Sequence, residues 1–250
     1  MSASRHKATI DAVPKLFSSD ERRAALHSSA WFAGLTPGLQ AWIAEHAKAG
    51  TLATGSRLFG RGDAPDGLYF MVHGAVRMTS FSADGKEALL ALVEPPQWFG
   101  EISLFDGLPR THDAWAETDV LLLHVDQHDL LAFLGQNPSH WRAFGLLLAQ
   151  KLRLTFHAIG ASASLPAPVR LARRLLAIAE GYGEWNGRTR RVIHVQQEQL
   201  GLMLSLSRQT VNQILKEFET QGLLHRTRGS IEILDIGQLR AFATGDATGG

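Results

Sequence analysis

The stretch QEQLGLMLSLSRQTVNQILKEFE, residues 197–219, decides how this chain is read. It parses as two helices about a tight turn. Leu200, Met203 and Leu204 form the inner face of the first helix. Ser207 suits the start of the second, because a serine hydroxyl accepts a hydrogen bond from an otherwise unpaired N–H of the first turn. Val211, Ile214, Leu215 and Phe218 then recur at i, i+3, i+4 and i+7 and face inward together. Arg208, Gln209, Asn212, Gln213 and Lys216 are left on the outside. A guanidinium can bond bidentately to O6 and N7 of guanine, and an Asn or Gln amide likewise to adenine. Lys216, further along, suits a phosphate. A plain solvated face is the alternative. Three amides and an arginine directly after a tight turn favour a helix that reads double-stranded DNA.

The flanks agree with that reading. His225-Arg226-Thr227-Arg228-Gly229-Ser230 joins Leu223-Leu224 to Ile231-Glu232-Ile233-Leu234 as a hairpin. Arg226 and Arg228 place positive charge at its tip, where flanking phosphates would lie. A short strand, Val192 to Val195, precedes the helices. Upstream, Pro138 to about Ala161 reads as one long helix. Its Trp141, Gly145, Leu148, Leu152, Thr155 and Ile159 follow at spacings of 4, 3, 4, 3 and 4. Those spacings describe a coiled-coil seam that pairs with its own copy, or else the core helix of one domain. Ala161 to Pro168, with two serines and two prolines, reads as a hinge.

Between Thr51 and Val125 the texture is different. Short β-rich runs alternate with turn residues such as Gly60-Arg61-Gly62-Asp63, Pro65-Asp66-Gly67 and His73-Gly74, the pattern of an antiparallel roll or sandwich. Leu68 to Val72 and Val120 to Val125 are its best strands. Helical text from Ala24 to Ala49 precedes it, broken at Gly34-Leu35-Thr36-Pro37. The chain is thus expected to be α+β. Residues 1–20 form a loose leader, 21–135 a β-roll, 136–162 the long helix and 163–250 a winged helix-turn-helix domain.

Composition narrows the function. The 250 residues carry 25 Lys and Arg against 24 Asp and Glu. From Pro166 onward the balance is 11 to 8, and before it 14 to 16, a mild asymmetry that permits nucleic-acid binding in the C-terminal part. With no cysteine there is no disulfide, thiol switch or cysteine-ligated iron–sulfur cluster within this chain. No apolar run approaches the roughly 18 residues of a membrane span, and residues 1–19 lack a signal peptide's apolar stretch. A cytoplasmic protein without a membrane partner is expected. Eleven histidines include no His-x-His pair; His124 and His128 lie four apart across a strand end. Solvated or hydrogen-bonded histidines are the expectation, and no metal site or enzyme nucleophile–base pair is foreseen.

Taken in order, these segments resemble the Crp/Fnr family of bacterial regulators from about Trp31 to Ile236. Leu58-Phe59-Gly60-Arg61-Gly62-Asp63, Asp66-Gly67-Leu68-Tyr69 and Gly74 look like the family's roll opening. Phe99-Gly100-Glu101-Ile102-Ser103-Leu104-Phe105-Asp106-Gly107-Leu108-Pro109-Arg110-Thr111 looks like its phosphate-binding cassette. The resemblance implies a homodimer on a pseudo-palindromic operator, RNA polymerase as partner, and cyclic AMP or cyclic GMP as effector. A constitutive DNA-binding regulator of the same fold with no nucleotide ligand is the alternative, and activator and repressor roles both stay open. It further implies that Gly100, Glu101, Ile102, Ser103, Arg110 and Thr111 hold the nucleotide. Glu101 would take the ribose hydroxyl and Arg110 the cyclic phosphate, while Lys151 and Thr155 cap the base. An anion at Arg110 fits elementary chemistry, since a guanidinium grips two phosphate oxygens and free N–H groups open the short helix at Gly100 and Glu101.

Departures from the family pattern carry information too. Lys151 replaces an arginine and Phe156 a serine on the capping helix. On a strand, His112 would share the face of Arg110 and Asp113 would point away. Gln209 stands for a common glutamate and Gln213 for an arginine, so the expected half-site keeps the guanine opposite Arg208 but not the rest of the family's best-known consensus.

Overall fold

The computed structural model describes residues 11–12, 17–81, 87–181, 189–227 and 229–244. They form two compact units, one of residues 1–86 with 90–150, the other of 151–250 with 87–89.

The first unit opens with strand β1 (Asp11–Ala12) and helices α1 (Ser19–His27), α2 (Ala30–Ala33) and α3 (Pro37–His46). The leader is therefore not loose throughout. Asp11 pairs with Thr51 and Ala12 with Gly50, and α1 already begins at Ser19. Ser18 and Glu21 close a reciprocal capping box there, which satisfies two N–H groups that the helix itself cannot. Thr36 caps α3, with Pro37 at the first helical position where its missing N–H costs nothing.

The strands that follow are β2 (Lys48–Leu52), β3 (Arg57–Phe59), β4 (Gly67–His73), β5 (Val76–Phe81), β6 (Glu87–Val93) and β7 (Trp98–Phe99), then helix α4 (Ile102–Asp106), β8 (Asp113–Ala116) and β9 (Val120–Asp126). They make two sheets with strand orders β1-β2-β9-β4-β7 and β3-β8-β5-β6. All the described pairings are antiparallel. Period-two alternation explains why β4 is a continuous apolar run. Tyr69 and Met71 face a core with Leu58, Phe59, Val76, Phe99 and Leu122. Leu68 and Phe70 face a second core with Leu26, Phe32, Ile43, Trp98 and Leu123. Both faces are buried from Gly67 to Met71, which favours apolar side chains on each, and the strand emerges at the exposed His73.

Helix α5 (Gln127–Gln136), a single 3₁₀ turn (Pro138–His140) and helix α6 (Trp141–Ser164) follow. The early part of α6 is a core helix. Phe144 and Leu147 are fully buried in the cluster that contains Trp98, and the Trp31 indole donates to the Ala143 carbonyl at 2.8 Å. Further along, Leu152 is 49% and Phe156 64% exposed. The expected hinge is shorter than its composition suggests: α6 runs to Ser164 and α7 (Ala167–Ala179) begins after Leu165 and Pro166. Alanine and serine sustain the last turn of α6, and only a proline at the start of the next helix forces the break.

The second unit continues with β10 (Val192–Ile193), α8 (Gln197–Leu204), α9 (Arg208–Thr220), β11 (Leu224–Thr227), β12 (Ser230–Ile233) and α10 (Ile236–Thr244). Its strands lie in the order β10-β12-β11. Leu171, Leu175, Leu200, Val211, Leu215, Phe218, Ile233 and Leu239 share one core. Among the described residues no helix is long and apolar enough to cross a membrane.

Candidate functional site

In the first unit the cassette occupies the segment from β7 to β8. Its central side chain is Arg110, only 5% exposed. The turn after β3 fixes its backbone from both directions: Arg110 N–H donates to the Asp63 carbonyl at 2.9 Å, and Gly62 N–H donates to the Arg110 carbonyl at 2.8 Å. This explains why the Gly60–Asp63 turn and the cassette belong together. The guanidinium lies 4.6 Å from the centre of the Phe59 ring. Its Nη1 donates to the Gly100 carbonyl at 3.0 Å, and its Nη2 to the Gly67 carbonyl at 2.8 Å and to Asp66 Oδ1 at 2.6 Å. Its Nε is buried and has no hydrogen-bond partner.

Two backbone positions make this cluster possible. Gly100 has φ +97°, and a Cβ there would stand 2.7 Å from the Gly67 carbonyl oxygen. Gly67 has φ +140°, and a Cβ there would stand 2.0 Å from the Val125 carbonyl oxygen. Only glycine fits either place. The other Asp66 oxygen accepts from the Tyr69 hydroxyl. Burial first, and the Asp66 charge second, push the Tyr69 hydroxyl far above its ordinary value, so it stays a donor.

The remaining cassette residues are placed as follows. Helix α4 begins at Ile102, just after the expected Gly100-Glu101 opening, with Glu101 as its cap residue and no side-chain cap bond. Glu101 and Ser103 are buried, and Ile102 is exposed. Thr111 and His112 precede β8 instead of lying on it, and the Thr111 hydroxyl meets His112 Nδ1 at 2.8 Å. The strand rule that opposed His112 to Asp113 therefore does not apply; Asp113 accepts from the Arg61 N–H at 3.1 Å. On α6 the Thr155 hydroxyl donates to the Lys151 carbonyl at 3.0 Å.

In the second unit the helix-turn-helix forms as its residue pattern requires. Ser205 adopts a left-handed conformation (φ 53°) and Leu206 N–H returns to the Gly201 carbonyl at 2.9 Å. The Ser207 hydroxyl accepts from Thr210 N–H at 3.0 Å and so caps α9. Val211, Ile214, Leu215 and Phe218 are buried. Arg208, Gln209, Asn212, Gln213 and Lys216 are exposed on one continuous face. Gln213 donates to Glu217 at 3.3 Å.

Arg226 does not reach outward from the wing. Its Nε and Nη2 donate to Glu219 Oε2 at 2.9 and 2.8 Å, and its Nη1 donates to Asn212 Oδ1 at 2.8 Å. Arg228 lies outside the described residues. Sequence reasoning missed Asp66 as the partner of Arg110 and Glu219 as the partner of Arg226. Each carboxylate carried a signal only as an acidic residue, and nothing in the spacing tied it to its arginine.

Two of the described histidines hydrogen-bond to backbone carbonyls. His124 Nε2 meets the Asp66 carbonyl at 2.9 Å, and His46 Nδ1 the Trp42 carbonyl at 2.9 Å. Asp126, His128 and Asp129 bring possible ligand atoms within 4.8 Å of one another. The Asp126 carboxylate there is the cap of α5, accepting from His128 N–H at 2.9 Å and from Asp129 N–H at 3.2 Å.

Known proteins share this arrangement. Residues 50–137 match the family model of the cyclic nucleotide-binding domain, and residues 169–242 that of the Crp-like helix-turn-helix domain. The chain is 30% identical over 209 residues to the CRP-like cAMP-activated global transcriptional regulator of Mycobacterium tuberculosis, covering 83% of this chain and 93% of that one. It is 29% identical over 192 residues to the cyclic AMP receptor protein of Thermus thermophilus, covering 76% and 86%. Among solved structures, FixK2 from Bradyrhizobium japonicum has the same fold, with a TM-score of 0.70, 22% identity and coverage of 78% of this chain and 96% of that one.

Proposed function

Because the chain belongs to the Crp/Fnr family of transcriptional regulators, we propose that it is a cytoplasmic homodimer which binds a pseudo-palindromic DNA site when a cyclic nucleotide occupies its β-roll. Gly100, Glu101, Ile102, Ser103, Arg110 and Thr111 would hold the effector, with Lys151 and Thr155 on the capping helix. Ser207, Arg208, Gln209, Asn212, Gln213 and Lys216 would face the major groove. In a two-fold dimer the half-sites lie about one helical turn apart, roughly 34 Å. RNA polymerase is the downstream partner in this reading. An effector acts only through unequal affinity for the two dimer states.

One observation supports the nucleotide: the buried Arg110 Nε–H has no partner. A buried charged donor atom left without a partner is costly, and an anion's oxygen is a suitable acceptor. Two relatives are named for cyclic AMP, which makes it the first ligand to try.

The Asp66 pair favours a second reading. It neutralises Arg110 from within the roll, as a constitutive regulator with no nucleotide ligand would require. Calorimetry with cyclic AMP, cyclic GMP and cyclic di-GMP, with and without a DNA fragment, separates the two. Effector gating requires that one nucleotide bind, that Arg110→Ala lose it while the protein stays folded and dimeric, and that DNA affinity rise with ligand. Unchanged nucleotide affinity in Arg110→Ala would sink it, and no binding by the native chain would leave the constitutive reading.

A further inference from the structure

The outer face of α9 holds three amides, but they are not chemically equivalent. Arg226, on β11, reaches back across α9 and engages two residues seven apart on that helix. Its backbone N–H and its Nε donate to the two oxygens of Glu219, each at 2.9 Å, and Nη2 adds a contact at 2.8 Å. The fork is thereby fixed in plane, which leaves Nη1 to meet Asn212 Oδ1 at 2.8 Å. A guanidinium has only donors, so the amide atom that faces it must be the oxygen. The Asn212 NH₂ group is then the part left for a partner outside the protein. By contrast, among the described residues no hydrogen bond or ion pair engages the side chains of Arg208 and Gln209.

An asparagine that reads adenine needs both ends of its amide: the oxygen accepts from N6 and the nitrogen donates to N7. Here one of the oxygen's two lone pairs is taken by a cation, which weakens it as an acceptor for N6 while the amide N–H donors stay free. The surviving donors suit an edge that offers acceptors only, N7 and O6 of guanine or O4 of thymine. We propose that Arg226, fixed by Glu219, is a specificity-determining residue that acts through Asn212. It makes position 212 a donor-biased reader that prefers guanine or thymine over adenine. Arg226 is thus a positioning residue and not a phosphate contact. The inference rests on α9 being the DNA-reading helix.

Selection of binding sites from randomised half-site DNA, run in parallel for the native chain, Asn212→Ala, Arg226→Met and Arg226→Lys, tests this. The base column that flattens in Asn212→Ala identifies the contact. In the native chain that column should favour guanine or thymine over adenine by about tenfold, the scale of a lost bidentate base contact. In Arg226→Met the ratio should fall below about threefold, while the guanine column set by Arg208 stays. Arg226→Lys, which keeps the charge but lacks the fork, should behave like Arg226→Met. Arg226→Met in an Asn212→Ala background should change that column no further.

An adenine preference in the native column overturns the proposal. So does uniform weakening of all sequences with a salt slope reduced by about one, which marks a phosphate contact. Unaltered columns in both Arg226 variants overturn it as well. Thermal melts confirm that each variant is folded, and Arg226→Lys carries the comparison if Arg226→Met is not. Each selection is run with and without cyclic AMP, cyclic GMP and cyclic di-GMP, because the proposed regulator binds DNA when liganded. No specific site for the native chain under any of these conditions would instead remove the DNA-reading role of α9 itself.

Discussion

Gly201 shows how a single residue sets the helix-turn-helix. A Cβ at this position would lie 2.8 Å from the Leu206 backbone carbonyl, an atom that cannot swing away. Alanine would ordinarily strengthen a helix by about 1 kcal/mol over glycine. Overpacking against fixed backbone costs about 1–3 kcal/mol, so the clash prevails. Gly201→Ala is expected to lower the melting point of the second unit by several degrees, read by calorimetry; an unchanged or raised melting point contradicts the assigned turn. The sequence marks Gly201 only as a glycine inside a helical pattern. Its necessity appears when Leu206 turns back, aided by the left-handed Ser205.

At the scale of elements, periodicity carried the inner faces of α8 and α9 and the buried run of β4 directly into the fold. What it could not carry were pairings between distant segments. Asp11 meets Thr51, Arg110 meets Asp66, and Arg226 meets Asn212 and Glu219. Each is fixed by where whole elements pack, which no local spacing encodes. The link from β11 to α9 should also depend on pH. The N–H groups of Arg226, backbone before side chain, hold the Glu219 carboxyl below its ordinary value of 4.5. A carboxyl lowered in the folded state gives stability that is complete above its unfolded value and is lost as pH falls through the folded one. Below about pH 4.5 the Arg226 amide should therefore lose protection against hydrogen exchange, relative to its intrinsic rate. Glu219→Gln should show no such step. A step of equal size in that variant would assign the change to another group.

For the whole molecule, α6 carries the main expectation about assembly. Its early buried residues, Phe144 and Leu147, belong to the first core, whereas Leu152 and Phe156 stand exposed in a single chain. The 4-3 spacing that includes Leu148, Leu152 and Thr155 gives Leu152 a partner in the proposed dimer, with Phe156 beside that seam. Leu152→Glu is expected to shift the protein to monomer in sedimentation, because two carboxylates would face each other across the seam. Affinity for a two-half-site operator should fall by about 10²-fold or more, since linked binding of both half-sites is lost. A dimer of native stability in that variant would place the contact elsewhere.

The aromatic cluster of the first unit has a practical consequence. Trp31 and Trp98 lie edge to face with centroids 5.1 Å apart, and Trp31 meets Phe144 at 5.3 Å. Five of the six tryptophans (Trp31, Trp42, Trp98, Trp115 and Trp141) belong to that unit, and the sixth, at position 185, lies outside the described residues. Ultraviolet emission and near-ultraviolet optical activity will thus be weighted toward the roll. The chain contains no native thiol. A single Gln238→Cys change on the exposed face of α10 would accept one dye and give the second unit its own colour. Effector occupancy and DNA engagement could then be followed at separate wavelengths in one cuvette.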